Sequence, residues 1–321
     1  MIKPGNIYLN SIVLSYSQLF FSNTPLFGIV LLIITFIDPV MGLTGLAGVI
    51  VTNTSARLAG FDPAKINLGL FGYTGYLLSA GYVYFFEPAA AGYLILFFML
   101  LLMVYLIPVF ENIFYQVFKT GSFTVTFILG FYLMFALLNY TGAQEKLFIY
   151  SGDTLEMDEF FSMYFKSMGF ILFQSDLLAG ILVTAAVLIY SRVLFSLSVL
   201  AYSFAFVTGY MLHNNLDQGV MLFSGFNSIL TAFAVGGCLV IPSKSSLGFG
   251  FLGVIVSSVI SVLLYSFLAE YGVPVLVVPF NIAAILLASA LFFRTDASNP
   301  LLLYFTPGSP EQNLYYHLTR K

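Results

Sequence analysis

The chain has 321 residues, of which 60% are hydrophobic and 8% charged, and its net charge at pH 7 is -3. Soluble domains carry about 25% charged residues, so 11 basic and 14 acidic side chains cannot give this protein a water-facing surface. The composition therefore excludes a soluble enzyme, predicts an integral membrane protein in contact with the lipid bilayer, and argues against a nucleic-acid partner.

Ten apolar segments are candidate membrane-spanning helices, since a span needs about 20 mainly apolar residues. They are 25–38, 40–60, 66–86, 89–113, 123–140, 168–190, 193–213, 219–241, 246–269 and 274–294. Helices are expected to end at Asp38-Pro39, Asp62-Pro63, Glu87-Pro88 and Pro242-Ser243. The sequence thus predicts a first membrane repeat over residues 1–140 and a second repeat with a tail over residues 168–321.

The stretch between these sets, residues 141–167, is predicted to be an acidic linker. From Tyr140 to Met168 the chain holds five acidic residues and two lysines, a local charge of -3. A short interfacial helix within DTLEMDEFFSMYF is the alternative to a solvated linker. The distribution of lysine and arginine favours this stretch outside and both chain ends inside.

The two halves carry similar strings in the same order, at offsets of 152 to 153 residues. FFSNTPLFGI (20–29) matches LFQSDLLAGI (172–181), LFGYTGYLL (70–78) matches FSGFNSILT (223–231), and FTVTFI (123–128) matches LVVPFN (276–281). Because each half has five spans, the second half must enter the membrane from the opposite side. The predicted fold is an all-α integral membrane protein. Its two inverted-topology halves have about five transmembrane helices each, with broken or tilted half-helices at a central pore; a purely structural duplication is the alternative.

Few side chains in the predicted spans can perform chemistry. Ionisable residues lie almost wholly at span ends, and Asp176, the best candidate for ion coupling, can equally cap a helix. GLFGYTG at 69–75 is expected to mark close packing or a broken helix rather than a nucleotide loop. Cys238 lies in an apolar run and is expected to be buried and inert. We therefore expect no enzyme activity, no metal and no cofactor.

Aromatic residues occupy four matched positions of the two halves: Phe21, Tyr73, Phe173 and Phe226. Facing rings would form a narrow slot that admits a planar neutral molecule and rejects hydrated ions, whose desolvation would be uncompensated.

At these residues the sequence resembles the urea transporter family, over roughly residues 17–294. The resemblance rests on Gln18-Leu19-Phe20-Phe21, on Gly72-Tyr73-Thr74-Gly75 with Gly225-Phe226-Asn227-Ser228, and on Thr124-Val125-Thr126-Phe127 with Val277-Val278-Pro279-Phe280. It implies a passive channel for urea or a similar small neutral amide, assembled as a homotrimer in the plasma (inner) membrane. It also implies Gln18 and Thr124 as hydrogen-bond acceptors.

The expected pore lining differs between the halves. In the first half it is Gln18, Phe21, Tyr73, Leu77 and Thr124. In the second half it is Phe170, Phe173, Phe226, Leu230 and Val277, where Phe170 and Val277 replace the polar residues of the family pattern. The second half should therefore be drier. A secondary transporter for another small solute, including a proton-coupled one, and a non-conducting scaffold or sensor remain the alternative functions.

Overall fold

The computed structural model describes residues 4–146, 159–212, 217–294, 300–301, 303 and 308–319. These residues are predominantly helical and contain no extended strand, and Phe86 and Glu145 form an isolated antiparallel bridge. The chain divides into two compact units, one comprising residues 1–117 and 121–148 and the other residues 118–120 and 149–321. Residues 147–158, the middle of the predicted acidic linker, lie outside the described part.

The first unit is built from helices α1 to α7. They are α1 (Pro4–Ser17), α2 (Pro25–Thr35), α3 (Pro39–Leu58), α4 (Pro63–Asn67), α5 (Gly72–Phe85), α6 (Ala90–Phe118) and α7 (Val125–Tyr140). Asp38 and Asp62 accept hydrogen bonds from backbone N–H groups at the starts of α3 and α4, each just before a proline at the first helical position. The helix boundaries predicted at these two Asp-Pro pairs are confirmed.

Close backbone contacts hold the first unit together. A Cβ added to Gly28 of α2 would collide with the carbonyl group of Val13 in α1, and one added to Gly72 would collide with the hydroxyl of Ser15. Only glycine permits such approaches. The chain bends by 84° between residues 8–20 and α2, so the N-terminal apolar residues form a helix separate from the one in the first predicted span, 25–38.

The second unit contains helices α8 to α14. They are α8 (Phe160–Phe170), α9 (Leu177–Tyr190), α10 (Arg192–Leu212), α11 (Gln218–Phe233), α12 (Lys244–Ala269), α13 (Val278–Phe292) and α14 (Pro310–Thr319). α11 continues as a π-helical segment, Ala234–Cys238, in which Cys238 is buried as expected. Ser243 caps α12 through a capping box with Ser246, next to the predicted helix end at Pro242-Ser243.

The close contacts of the first unit recur at matched sequence positions of the second. A Cβ on Gly180 would collide with the carbonyl of Phe165, and one on Gly225 with the hydroxyl of Ser167. These pairs follow Gly28–Val13 and Gly72–Ser15 by 152 or 153 residues. The two units thus share local packing even where their side chains differ.

Two predicted segments differ from the observed helices. α8 begins at Phe160, inside the predicted linker, and its residues Met163 and Tyr164 are buried. The apolar run 66–86 is broken between α4 and α5, where Gly69 has a φ of 80°. The expected broken helix in GLFGYTG is therefore confirmed, because a left-handed glycine ends the first turn.

Among the described residues, four helices are long and apolar enough to cross a bilayer: α6, α10, α12, and α11 with its π segment. The bent pair α1 and α2 would make a fifth span if counted together. α7, α9 and α13 are apolar but have only 14 to 16 residues. At about 1.5 Å per residue they are shorter than a hydrocarbon core of about 30 Å, so some of the ten predicted spans are short helices.

Candidate functional site

The turn between α1 and α2 holds two of the residues expected to line a pore. Gln18–Phe20 forms one turn of 3₁₀ helix, and Phe21 then adopts a left-handed backbone with a φ of 56°. The N–H of Ser22 closes the turn by donating to the carbonyl of Ser17 over 3.1 Å. A bulky residue rarely adopts this conformation, so the surrounding structure must hold Phe21 in it.

Gln18 is fixed by its own amide group. Nε2 donates to Oδ1 of Asn23 and, over 3.0 Å, to the carbonyl oxygen of Leu68. These bonds join the turn to the end of α4. Because both use the amide nitrogen, the acceptor oxygen of a half-buried side chain is held in a defined orientation.

Phe123 brings together three of the predicted residues. The hydroxyl of Tyr73, in the first turn of α5, donates to the Phe123 carbonyl oxygen over 2.5 Å. The Phe123 ring meets the Phe21 ring edge-on at 6.5 Å between centroids. Thr124 follows directly and precedes α7, while Leu77 lies one helical turn after Tyr73 and is buried. Phe21, Tyr73, Phe123 and Thr124 are all half-buried.

The corresponding turn of the second unit has the same backbone but different chemistry. Phe173 has a φ of 55°, and the N–H of Gln174 donates to the carbonyl of Gly169 over 3.1 Å. Phe170 occupies the position of Gln18, with only 3% of its surface exposed. An aromatic ring therefore stands where the first unit has an amide.

Four rings pack together at this position, and we call Phe170, Phe173, Phe223 and Phe226 the ring cluster. The Phe170 centroid lies 5.4 Å from Phe173, 5.5 Å from Phe223 and 4.9 Å from Phe226, in edge-on geometry. Such separations are typical of attractive aromatic pairs. The structure thus brings together three predicted residues and adds Phe223.

Asn227 joins α11 to the start of α13 and is fully buried. Its Nδ2 donates to the carbonyl oxygens of Phe223 and Leu276, each over 2.8 Å. Its Oδ1 accepts from the N–H of Phe280 over 3.0 Å. Leu276 has a φ of 52°, at the position matching Phe123, so a side-chain bond to the backbone carbonyl supports the left-handed residue in both units.

The remaining predicted residues of the second unit are also buried. Leu230 follows Phe226 by one turn of α11, and Val277 caps α13. The Val277 carbonyl accepts from Nδ2 of Asn281 over 2.7 Å. No polar side chain replaces the threonine that stands at the matched position of the first unit.

The sequence did not single out Phe123, Phe223 or the tie made by Asn227. Phe123 opens one of the repeated strings and Asn227 lies in a family motif, so both carried a signal. Their roles depend on backbone angles and on contacts across about 50 residues, which helical periodicity does not reveal.

Ionisable groups offer little alternative chemistry. Asp176 is exposed and caps α9, accepting from the N–H groups of Leu178 and Ala179 over 2.8 and 3.2 Å. Within the described residues, no group of three or more His, Cys, Asp or Glu side chains could hold a metal ion.

Comparison with known proteins identifies the family. A family model described as "Urea transporter" matches residues 9–291, nearly the whole chain. A search of curated proteins gave no match. The family match agrees with the resemblance carried by the duplicated motifs and with the long apolar helices. The chain therefore belongs to the urea transporter family and is a multi-pass membrane protein of a channel-like, non-enzymatic class.

Proposed function

We propose that this protein conducts urea, or a similar small neutral amide, passively through a path lined by the matched residues of its two units. The observation that carries the proposal is the half-buried group around Phe123, in which Phe21 and Tyr73 flank a polar turn. No buried carboxylate is needed for conduction of a neutral solute, and the exposed helix cap Asp176 supplies no coupling site.

Selection in the first unit follows from amide chemistry. Urea is planar, donates through its N–H groups and accepts through one carbonyl. The Gln18 amide oxygen and the Thr124 hydroxyl replace water as acceptors, while Phe21, Tyr73 and Leu77 cover the flat faces of the solute. A hydrated ion would lose its water shell without compensation and is rejected.

The second unit makes the slower part of the path. Phe170, Phe173, Phe226, Leu230 and Val277 offer no hydrogen-bonding side chain to the solute. An unpaired hydrogen-bonding group costs about 1–3 kcal/mol, so entry of urea into this apolar region limits the flux. A less polar amide crosses it more easily.

We propose that the two units form an inverted repeat. Phe21 and Phe173 share a left-handed backbone, and so do Phe123 and Leu276. Four of the five non-glycine residues with positive φ among those described thus fall into two pairs at the repeat offset. Such matching supports duplication, and an odd number of spans in each half implies opposite insertion.

The family resemblance further supports a homotrimer in the plasma (inner) membrane. α6 presents many exposed apolar residues, among them Leu94, Phe98 and Tyr105, which suits contact with lipid or with a neighbouring protomer. Chemical cross-linking in native membranes should give a band at three times the chain mass. A monomer alone would contradict the trimer.

Stopped-flow light scattering on proteoliposomes tests the proposed function. Urea and acetamide should enter faster than in empty vesicles, whereas potassium should not. Asp176→Asn should conduct like the wild type, while a proton-coupled transporter would require that carboxylate. The ring cluster favours one other function, a non-conducting scaffold, which predicts no flux for any solute although the protein is folded.

A further inference from the structure

The segment that carries Phe123 and Thr124 needs an anchor. Phe123 has a φ of 44°, in the left-handed region that a phenylalanine seldom occupies. Its ring and the next side chain, Thr124, belong to the proposed path. Any movement of the backbone at residues 121–124 would therefore displace side chains that line the proposed path.

Glu111 of α6 supplies a carboxylate to this segment. Its Oε1 accepts from the hydroxyl of Ser122 over 2.9 Å and from the backbone N–H of Ser122 over 3.3 Å. Ser122 is buried and directly precedes Phe123, while Glu111 is half-buried. Both hydrogen-bonding groups of Ser122 thus meet one acceptor oxygen, so this contact can hold an unfavourable backbone conformation.

Tyr73 holds the other side of the same residue, because its hydroxyl donates to the Phe123 carbonyl. The residue is thus fixed before its Cα through Ser122 and after it through its own carbonyl. We call Glu111, Ser122 and Tyr73 the carboxylate clamp.

The second unit supports its left-handed residue, Leu276, with different side chains. There Asn227 bonds both the Leu276 carbonyl and the Phe280 N–H. The positions 153 residues after Glu111 and Ser122 are Leu264 and Val275, which provide neither a carboxylate nor a hydroxyl. Conversely, Thr74 stands at the position of Asn227 in the first unit and is too short to form three such bonds. The carboxylate of Glu111 therefore occurs in the unit that has Thr74 rather than an asparagine at this position.

We propose that Glu111 is a positioning residue for the first-unit path, and that it compensates for the absence of an asparagine at position 74. It does not touch the solute; it fixes Phe123 and Thr124 through Ser122. The proposal rests on the proposed function for its transport consequences, but the clamp itself is a structural claim that can be tested without transport.

Hydrogen–deuterium exchange of the full-length protein in detergent tests the clamp directly. Glu111→Ala should raise the exchange rate of the amides at 121–125 by about tenfold, since Ser122 loses its acceptor. Glu111→Gln keeps an acceptor oxygen and should remain near the wild-type rate. Glu270→Ala, which removes an exposed carboxylate elsewhere, should change nothing in this segment.

The ratio of urea to N,N′-dimethylurea permeability gives a second readout, which does not depend on the amount of folded protein. A loosened Phe123 should admit the bulkier solute, so the ratio should fall about threefold in Glu111→Ala and stay unchanged in Glu111→Gln. If Glu111→Ala does not fold, Ser122→Ala removes only the stronger bond and should show a smaller change in the same direction.

Wild-type exchange and wild-type permeability ratios in Glu111→Ala and Ser122→Ala would overturn the proposal. If the wild-type protein conducts no urea, the proposed function fails. The exchange measurement still decides whether Glu111 holds the segment, so the two failures remain distinguishable.

Discussion

The turn after α1 and the turn after α8 have the same backbone and opposite side-chain chemistry. In both, a phenylalanine adopts a φ of 55° or 56° and the following N–H bonds a carbonyl five residues earlier. Gln18 is half-buried and hydrogen-bonded in the first turn, whereas Phe170 is enclosed by three rings in the second. The fold of the turn therefore does not depend on its polar residue, so in our proposal that residue can set the polarity of the path.

The ties that hold the left-handed residues differ in a parallel way. One buried amide, Asn227, forms the tie in the second unit, while Tyr73 and Glu111 share it in the first. Substituting Asn227 therefore removes the hydrogen bonds of the second-unit tie together. Substituting Tyr73 or Glu111 removes only part of the first-unit tie. The units should therefore respond unequally to matched substitutions.

Asn227→Ala should have the largest effect. It removes the buried hydrogen bonds of Asn227 to the Leu276 carbonyl and the Phe280 N–H, at a cost of about 3 kcal/mol. We expect the melting temperature to fall by about 6–10 °C and urea flux to be lost. Thr74→Ala at the matched position is the control and should shift melting by less than about 2 °C. Equal shifts of the melting temperature in both variants would contradict the proposed difference between the two ties.

Phe170→Gln should raise urea flux by about fivefold, because one restored hydrogen bond is worth about 1 kcal/mol. The reciprocal variant Gln18→Phe should lower flux by a similar factor. Both need the flux normalised to reconstituted protein in stopped-flow experiments. A decrease in folded Phe170→Gln would show that the ring cluster is not the slow part of the path.

Glu311, which is not among the proposed lining residues, gives the smallest expected effect. Partial burial alone would raise its pKa, but hydrogen bonds from the Val193 N–H and the Ser191 hydroxyl outweigh burial and hold the pKa below its usual range. This carboxylate fixes α14 to the start of α10. A depressed pKa contributes stability that is complete above the ordinary carboxyl pKa and is lost as pH falls through the depressed value.

Melting temperatures of the wild type and Glu311→Gln at neutral and acidic pH test this contact. The variant should melt about 1–3 °C lower at neutral pH, and the difference should shrink in acid. A difference that is constant across pH would mean that ionisation of Glu311 plays no part.

Several helix boundaries and the matched positions in the two turns were predictable from the sequence. Asp38, Asp62 and Ser243 precede helices because their side chains accept from the free N–H groups of the first helical turn. The prolines beside these residues indicate the helix boundaries in the sequence. Composition and repeated strings likewise placed Gln18 and Phe170 at matched positions. These are local or pattern-based signals.

The long-range contacts were not predictable. Glu111 and Ser122 are 11 residues apart across a helix end, and Asn227 reaches Leu276 over 49 residues. The separate α1 and the buried α8 depend on packing of short helices that hydropathy windows merge or overlook. Such features follow from three-dimensional contacts that no single stretch of sequence contains.

Urea exchange under symmetric conditions tests the central claim of a passive path most directly. Proteoliposomes loaded with labelled urea should release it faster than protein-free liposomes loaded in the same way. The rate should be the same with and without a protonophore. Release no faster than in empty vesicles, or release that depends on a proton gradient, would contradict passive conduction through this protein.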